Sequence, residues 1–370
     1  MHPSRHAIVC TLALLFCTGA SAAPPARVPN MKITTIAAGG MHSMLIAENG
    51  ELWAMGNDSQ GQLCDGDTVA KRTPVKVMAH VQAVALGSEH TLVLKHDGSL
   101  WACGQNEFGQ IGNGGTNSAR QPVKVMESVV ALAAGAAHSL AIRQDGSLWA
   151  FGRNTSGQLA TGDTDKRSHP VKVMDGVRAA SAGEAYSLIL KQDGSLWSVG
   201  QNRNGQLGTD DRTDRHQPTK IMDGVAQVSA GAAHSLVRKS DGSAWAFGFD
   251  GGGQLGDGGN TNRNAPFQLR EGGVAAVSAG ELHSLLLAQD GTAWGFGYND
   301  SGRLGTGDAV DQRVPRRVAS AVAQIAAGGS HTLALKQDGR VWVTGSNGSG
   351  QIGLGPATRQ ALAWAPLALP

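Results

Sequence analysis

Residues 138–159 read HSLAIRQDGSLWAFGRNTSGQL and residues 186–208 read YSLILKQDGSLWSVGQNRNGQLG. In each, apolar and polar residues alternate with the period of two that a strand imposes, broken by Asp-Gly, the pair that accepts the positive φ of a tight hairpin turn. Each stretch therefore predicts two antiparallel strands followed by a long loop. Outward from these stretches, an aromatic or imidazole ring recurs at His42, His90, His138, Tyr186, His234, His283 and His331. Tryptophan recurs at Trp53, Trp101, Trp149, Trp197, Trp245, Trp294 and Trp342. Both series step by 48 residues with one step of 49, whose extra residue lies in Arg270-Glu271-Gly272-Gly273. A fixed period of this length is the signature of solenoids and propellers.

The rest of the unit supplies a first and a fourth strand, as in Val225 to Gly231 ahead of the ring and Pro170 to Val173 after the long loop. A four-stranded sheet exposes two apolar faces, so seven sheets stack radially into a closed ring in which each face is covered by a neighbour. The expected fold is all-β, a seven-bladed β-propeller with four antiparallel strands per blade and no helix in the repeat. One domain is expected over 31–370, with blades at about 31–78, 79–126, 127–174, 175–222, 223–271, 272–319 and 320–370. The strand order puts the turn before each ring and the long Asn-x-x-Gly-Gln-Leu-Gly loop on one face, and the Asp-Gly turns on the other. In the seventh unit the outer strand's expected proline position is Ala363, with Pro366 three residues late.

Ahead of the repeats stand Arg5, an apolar run from Ala7 to Cys17, and small residues at Ala20, Ser21 and Ala22. This is the pattern of a secretory signal peptide, 1–22, followed by a short linker, 23–30. The expected location is secreted or periplasmic, without membrane insertion, because no later run is long and apolar enough to span a bilayer. Cleavage near Ala22 removes Cys10 and Cys17. Cys64 and Cys103 remain at different places in adjacent repeats, so no disulfide framework is expected and a bridge between these two is disfavoured. Without Arg5 the chain has 30 basic against 29 acidic residues, which is not the footprint of a nucleic-acid-binding protein. A monomer is expected.

The unit Gly-x-x-His-Ser-Leu-x-Leu-x-x-Asp-Gly-Ser-Leu-Trp-Ala-x-Gly-x-Asn-x-x-Gly-Gln-Leu-Gly closely resembles the regulator-of-chromosome-condensation repeat, over seven units from about Met31 to the C-terminus. The resemblance implies a seven-bladed propeller, the count already reached from spacing, and a rigid ring that grips another protein. Members of the family include a nuclear exchange factor for the small GTPase Ran that docks on nucleosomes, plant ultraviolet photoreceptors, modules of giant ubiquitin ligases and a secreted bacterial inhibitor of β-lactamases. The export signal and near-neutral charge point away from the nuclear role, which leaves the secreted inhibitor as the analogue by compartment. The chain departs from the pattern at Tyr186 for His, at Cys64 and Ala160 for the last Gly of Gly-Gln-Leu-Gly, and at Arg303 for Gln.

The rings and tryptophans read as architecture. Rotational symmetry disperses the six histidines among blades, too widely for a four-ligand metal site, so each is expected to bond its own blade's backbone. Each tryptophan is expected to pack between blades. The Asp-rich loop tails at 65–67, 161–165 and 209–211 could offer oxygens to calcium, but Lys71, Arg72, Lys166, Arg167, Arg212 and Arg215 follow them. A basic neighbour competes with a cation, and the tails read as solvated turns. Neither metal nor cofactor is expected, and no catalytic motif occurs.

What the repeat leaves over lies on the long-loop face. Phe108, Phe249 and Tyr298 occupy loop tips where other units carry Ser, Thr or Arg, and such aromatics are the usual interface anchors. Glu89, Glu184 and Glu281 stand just before the ring position, and Arg153 and Arg203 add charge nearby. The expected function is an exported protein-binding scaffold or inhibitor using this face, its protein partner unidentified. The alternatives are an exchange-factor-like regulator of a small GTPase, or a propeller enzyme or sugar-binding protein with its ligand in the central channel.

Overall fold

The computed structural model describes residues 31–369, and the expected signal peptide and linker lie outside the described residues. Among the described residues there are 28 strands and no helix. The first blade runs β1 (Ile33–Ala38), β2 (His42–Ala47), β3 (Leu52–Gly56) and β4 (Lys71–Met78), antiparallel and hydrogen-bonded in that order. Six more four-stranded sheets repeat the order and complete a seven-bladed β-propeller. β2 is buried at every position because both of its faces are covered, whereas β4, on the outer edge, is only partly buried. The inner hairpins turn as their sequence demands. Gly98 takes a φ of 79°, and the Asp97 carboxylate before it accepts the Ser99 N–H at 2.9 Å.

The core lies in the seams between blades. Met44, Ile46, Leu52 and Leu63 of the first blade pack against Val93 and Cys103 of the second. Leu333, Val343 and Ile352 of the seventh pack against Ile36, Leu45 and Met55 of the first. Each blade is made of four consecutive strands, so the last seam closes without an exchanged strand, by the same apolar packing as the others.

Cys64 and Cys103 are joined by a disulfide, contrary to the sequence expectation. Cys64 stands within the first blade's long loop, at the last position of its Gly-Gln-Leu-Gly motif, where the repeat normally has glycine, and it adopts the glycine's left-handed conformation at φ 64°. That loop lies over the seam, which brings its Cα to 5.6 Å from that of Cys103 on a central strand of the second blade. The bridge spans a sequence separation of 39 residues. Loop-closure entropy for such a separation is worth about 4 kcal/mol. Reduction, or replacement of both cysteines by serine, should lower the urea-derived stability by that order. Superimposable unfolding curves with and without reductant would show that the bridge constrains nothing.

The tryptophans pack on the seams as expected, but they are half-buried. In six of them, all but Trp53, a basic side chain lies over the ring: Lys95 Nζ is 4.4 Å from the centroid of Trp101. The Trp101 indole donates to Ser99 Oγ at 2.8 Å. Where Glu51, Thr292 or Arg340 stands in that serine's place, the indoles of Trp53, Trp294 and Trp342 have no partner.

The seventh outer strand, Gln360–Pro366, also differs from expectation. In the first blade Ala54 pairs with Val75, directly after Pro74, while in the seventh the equivalent Val343 pairs with Ala365. One extra loop residue shifts the register, so Trp364 and not Ala363 stands in the proline's place. Its ring packs on the seam between the sixth and seventh blades.

Candidate functional site

The long-loop face is built on a belt of rings around the central channel. Each histidine opens the second strand of its blade, and its Nε2 reaches the next blade's hydroxyl rather than its own blade's backbone, which corrects the sequence expectation. The pairs are His42–Thr91, His90–Ser139, His138–Ser187, His234–Ser284, His283–Thr332 and His331–Ser43, at 2.8–3.0 Å. These hydroxyls in turn donate to long-loop carbonyls, as Ser139 Oγ does to Gln110 O at 2.7 Å. With the hydroxyl proton committed, the imidazole must be the donor, which fixes the proton on Nε2. Nδ1 is left without a partner in all six rings. A second proton there would be an unmatched cation in a dry seam. Burial accordingly lowers His42, His138 and His331 to about 3, and His90 and His234 to about 4. Tyr186 serves its seam differently: its hydroxyl donates to the His234 carbonyl and accepts from Ser235 Oγ.

Inside this belt a channel of about 680 Å³ is lined by the first strands and their glycine turns, mostly Gly, Ala and Ser. Glu184 and Glu281 are its acidic lining residues. The crowded mouth withdraws water from Glu281 although its side chain reaches solvent, and this raises its carboxyl above the ordinary value. Arg303 opposes the rise and Glu184 adds to it.

The turn before the ring and the long loop do share one face, held by hydrogen bonds such as Asn57 N–H to Met41 O at 2.8 Å. On it the structure stacks two of the singled-out residues and sets two more against one loop tip. Arg153 of the third blade lies over Phe108 of the second, 5.4 Å from its centroid. Phe249 and Tyr298 flank the Gly251-Gly252 tip so closely that a methyl on either glycine would meet one ring at 2.5 or 2.3 Å. Glu89 is half-buried and outside the channel lining, and Arg203 is exposed with no hydrogen bond or ion pair among the described residues. Sequence reasoning missed Met41, Val69 and Val310, which expose 42%, 65% and 62% of their surface on the loops of this face. It noted Arg303 only as a departure from the repeat. Arg303 is buried, donates to Gly329 O at 2.9 Å and pairs with Asp300, which ties the sixth blade's loop to the seventh.

The pattern of the RCC1-like domain matches residues 18–271, more than half of the chain. The chain belongs to the RCC1-like domain family. The regulator of chromosome condensation (RCC1) repeat also matches at 290–335, and in a second form at 274–303 and 322–351. Among solved structures, human WBSCR16 superposes with a TM-score of 0.77 at 22% identity, over 86% of this chain and 94% of that one. Prp20p of Saccharomyces cerevisiae, described with its binding to Gsp1p and histones, gives 0.72 at 23% identity over 82% of each chain. The structure of Kap60 bound to yeast RCC1 (Prp20) gives 0.77 at 20% identity over 98% and 91%. At these identities the likeness of this RCC1-like ring to them is one of fold. A comparison with curated protein sequences finds no match.

Proposed function

We propose that this RCC1-like propeller is exported and serves as a protein-binding scaffold or inhibitor that grips its partner with the long-loop face. The observation that carries the reading is the pair of aromatic departures from sevenfold symmetry on that face, the Phe108–Arg153 stack and the Phe249 and Tyr298 rings against one glycine tip, beside an acidic channel mouth. Rigid aromatics lose little conformational freedom on binding, and two carboxylates at the mouth suit a basic side chain of the partner. Export is supported by the signal-like 1–22 segment and by the Cys64–Cys103 bridge, since disulfides persist in oxidising compartments. A second reading, an exchange-factor-like regulator of a small GTPase, is favoured by the likeness to Prp20p, whose described partners include Gsp1p.

Replacing Phe108, Phe249 and Tyr298 together by alanine should weaken capture of the partner from the native extracytoplasmic fraction by about a hundredfold or more, at about 1–2 kcal/mol per anchor, with an unchanged melting curve. Equal capture by the variant would remove the face assignment. Capture of a GTPase from cytosol, with the protein itself found only there, would establish the second reading in its place.

A further inference from the structure

The long loop of each blade is organised by one buried side chain, Asn106, Asn154, Asn202, Asn299 or Asn347 in five blades. Its Oδ1 accepts the N–H five residues on, as Asn154 does from Leu159 at 2.9 Å. Its Nδ2 donates inward to the tail of the loop. In the third blade Nδ2 reaches Thr161 Oγ1, Asp163 O and Asp163 Oδ1 at 3.0–3.1 Å. In the second it reaches Asn113 Oδ1, Gly115 O and Asn117 O, each at 3.1 Å. The amide nitrogen thus sits in a cup of oxygens. In the first blade the same position is Asp58, fully buried, and its Oδ1 makes the same bond to Leu63 N at 2.8 Å. Its Oδ2, where the five asparagine loops have a donor, has no partner. The surrounding cup is still all oxygen, and two of its residues are now Asp65 and Asp67, with ligand atoms of all three carboxylates within 4.8 Å of one another.

From this we infer that the inner cup of the first blade binds a divalent cation, with calcium the best match, in the place that the asparagine amide fills elsewhere. The donors are hard oxygens from Asp58, Asp65 and Asp67, and their spread fits the diameter of a calcium shell with 2.3–2.6 Å bonds. Lys71 does not fill the cup. It makes no ion pair with Asp58, and bonds Asp65 Oδ2 at 2.8 Å and both oxygens of Asp67 at 2.8–2.9 Å, the aspartates at the loop tail, as Arg167 and Arg215 pair with Asp163 and Asp211 in loops that also hold their amide donor. With Asp58 ionised, three carboxylates against one ammonium leave two negative charges for the ion to neutralise. The Cys64–Cys103 bridge directly before Asp65 fixes the loop that supplies the ligands. The fifth blade is an internal contrast: Asp250 also has an unpartnered Oδ2, but the residue matching Asp67 is Gly259, and Arg263 covers Asp257.

The oxidised protein, stripped with chelator and then titrated with calcium chloride at pH 7.5, should take up one ion per chain. Its Tm should rise with the logarithm of calcium concentration. Asp58→Asn restores the amide of the sister blades, so it should fold with a Tm no lower than that of the stripped protein and lose all calcium heat. Asp250→Asn should leave the titration unchanged. Absence of calcium heat in the unsubstituted protein overturns the proposal, and if Asp58→Asn is also stabilising, the cup holds a proton on Asp58 instead. Binding that survives Asp58→Asn overturns it as well.

Discussion

Acidification should unfold the propeller with a midpoint near pH ~5, because the buried histidines bind protons only once the ring opens. The folded values of about 3 to 4 lie below the unfolded value of 6.5, so the unfolded chain binds more protons as pH falls. The stabilisation is therefore complete above about pH 6.5 and drains away toward pH 4. Each ring contributes about 1.4 kcal/mol per pH unit in that window, and six together contribute about 8. A total stability of about 5–15 kcal/mol is exhausted within one to two pH units. Urea midpoints measured from pH 7.5 to 4.5 check this, and a stability that stays flat down to pH 4.5 sinks the idea. His138→Tyr, which copies the hydroxyl arrangement of Tyr186, should reduce the proton uptake on unfolding by one.

The second large effect is steric and concerns the turn glycines beneath those rings. A methyl on Gly135 would lie 2.4 Å from the Gly183 carbonyl of the next blade and 2.4 Å from the His138 ring. Neither neighbour can yield, since one is backbone and the other is clamped between two blades. Gly135→Ala should cost about 3 kcal/mol or more, at the upper end of overpacking penalties. Gly115, on an open loop where a methyl meets nothing nearer than 3.6 Å, supplies the control: Gly115→Ala should stay within about 0.5 kcal/mol of the parent. Equal urea stabilities for the two variants would contradict the close-packed belt. The same contact recurs at every seam, with Gly39 facing Gly87 O and Gly328 facing Gly39 O across the closure.

Much of this was legible from the residues because a repeat states its own geometry. The spacing of His and Trp gave the blade count, Asp-Gly gave the hairpins, and antiparallel order gave the face. The cross-blade bonds were written in every unit as a ring followed by Ser or Thr, but reading them requires knowing that blades meet at the ring position, which is a tertiary fact. The disulfide was hidden for a related reason. Its separation of 39 is no multiple of the repeat, and only the lie of the first long loop over the seam makes Cys64 and Cys103 neighbours. Trp364 escaped because one inserted loop residue moved the register. Asp58 escaped because Asp and Asn look interchangeable in a loop until the missing donor is counted. On the binding face, Phe108, Phe249 and Tyr298 were found as exceptions to the repeat, whereas Met41, Val69 and Val310 passed as ordinary loop residues.

Tyr186 makes the seven joints unequal. Its phenol carries no site that acid can charge, so the joint between the fourth and fifth blades keeps its clasp when the other six lose theirs. A belt of seven identical histidines would have had no preferred place to part. This one keeps a single joint that acid does not weaken, a spine about which the other six can part.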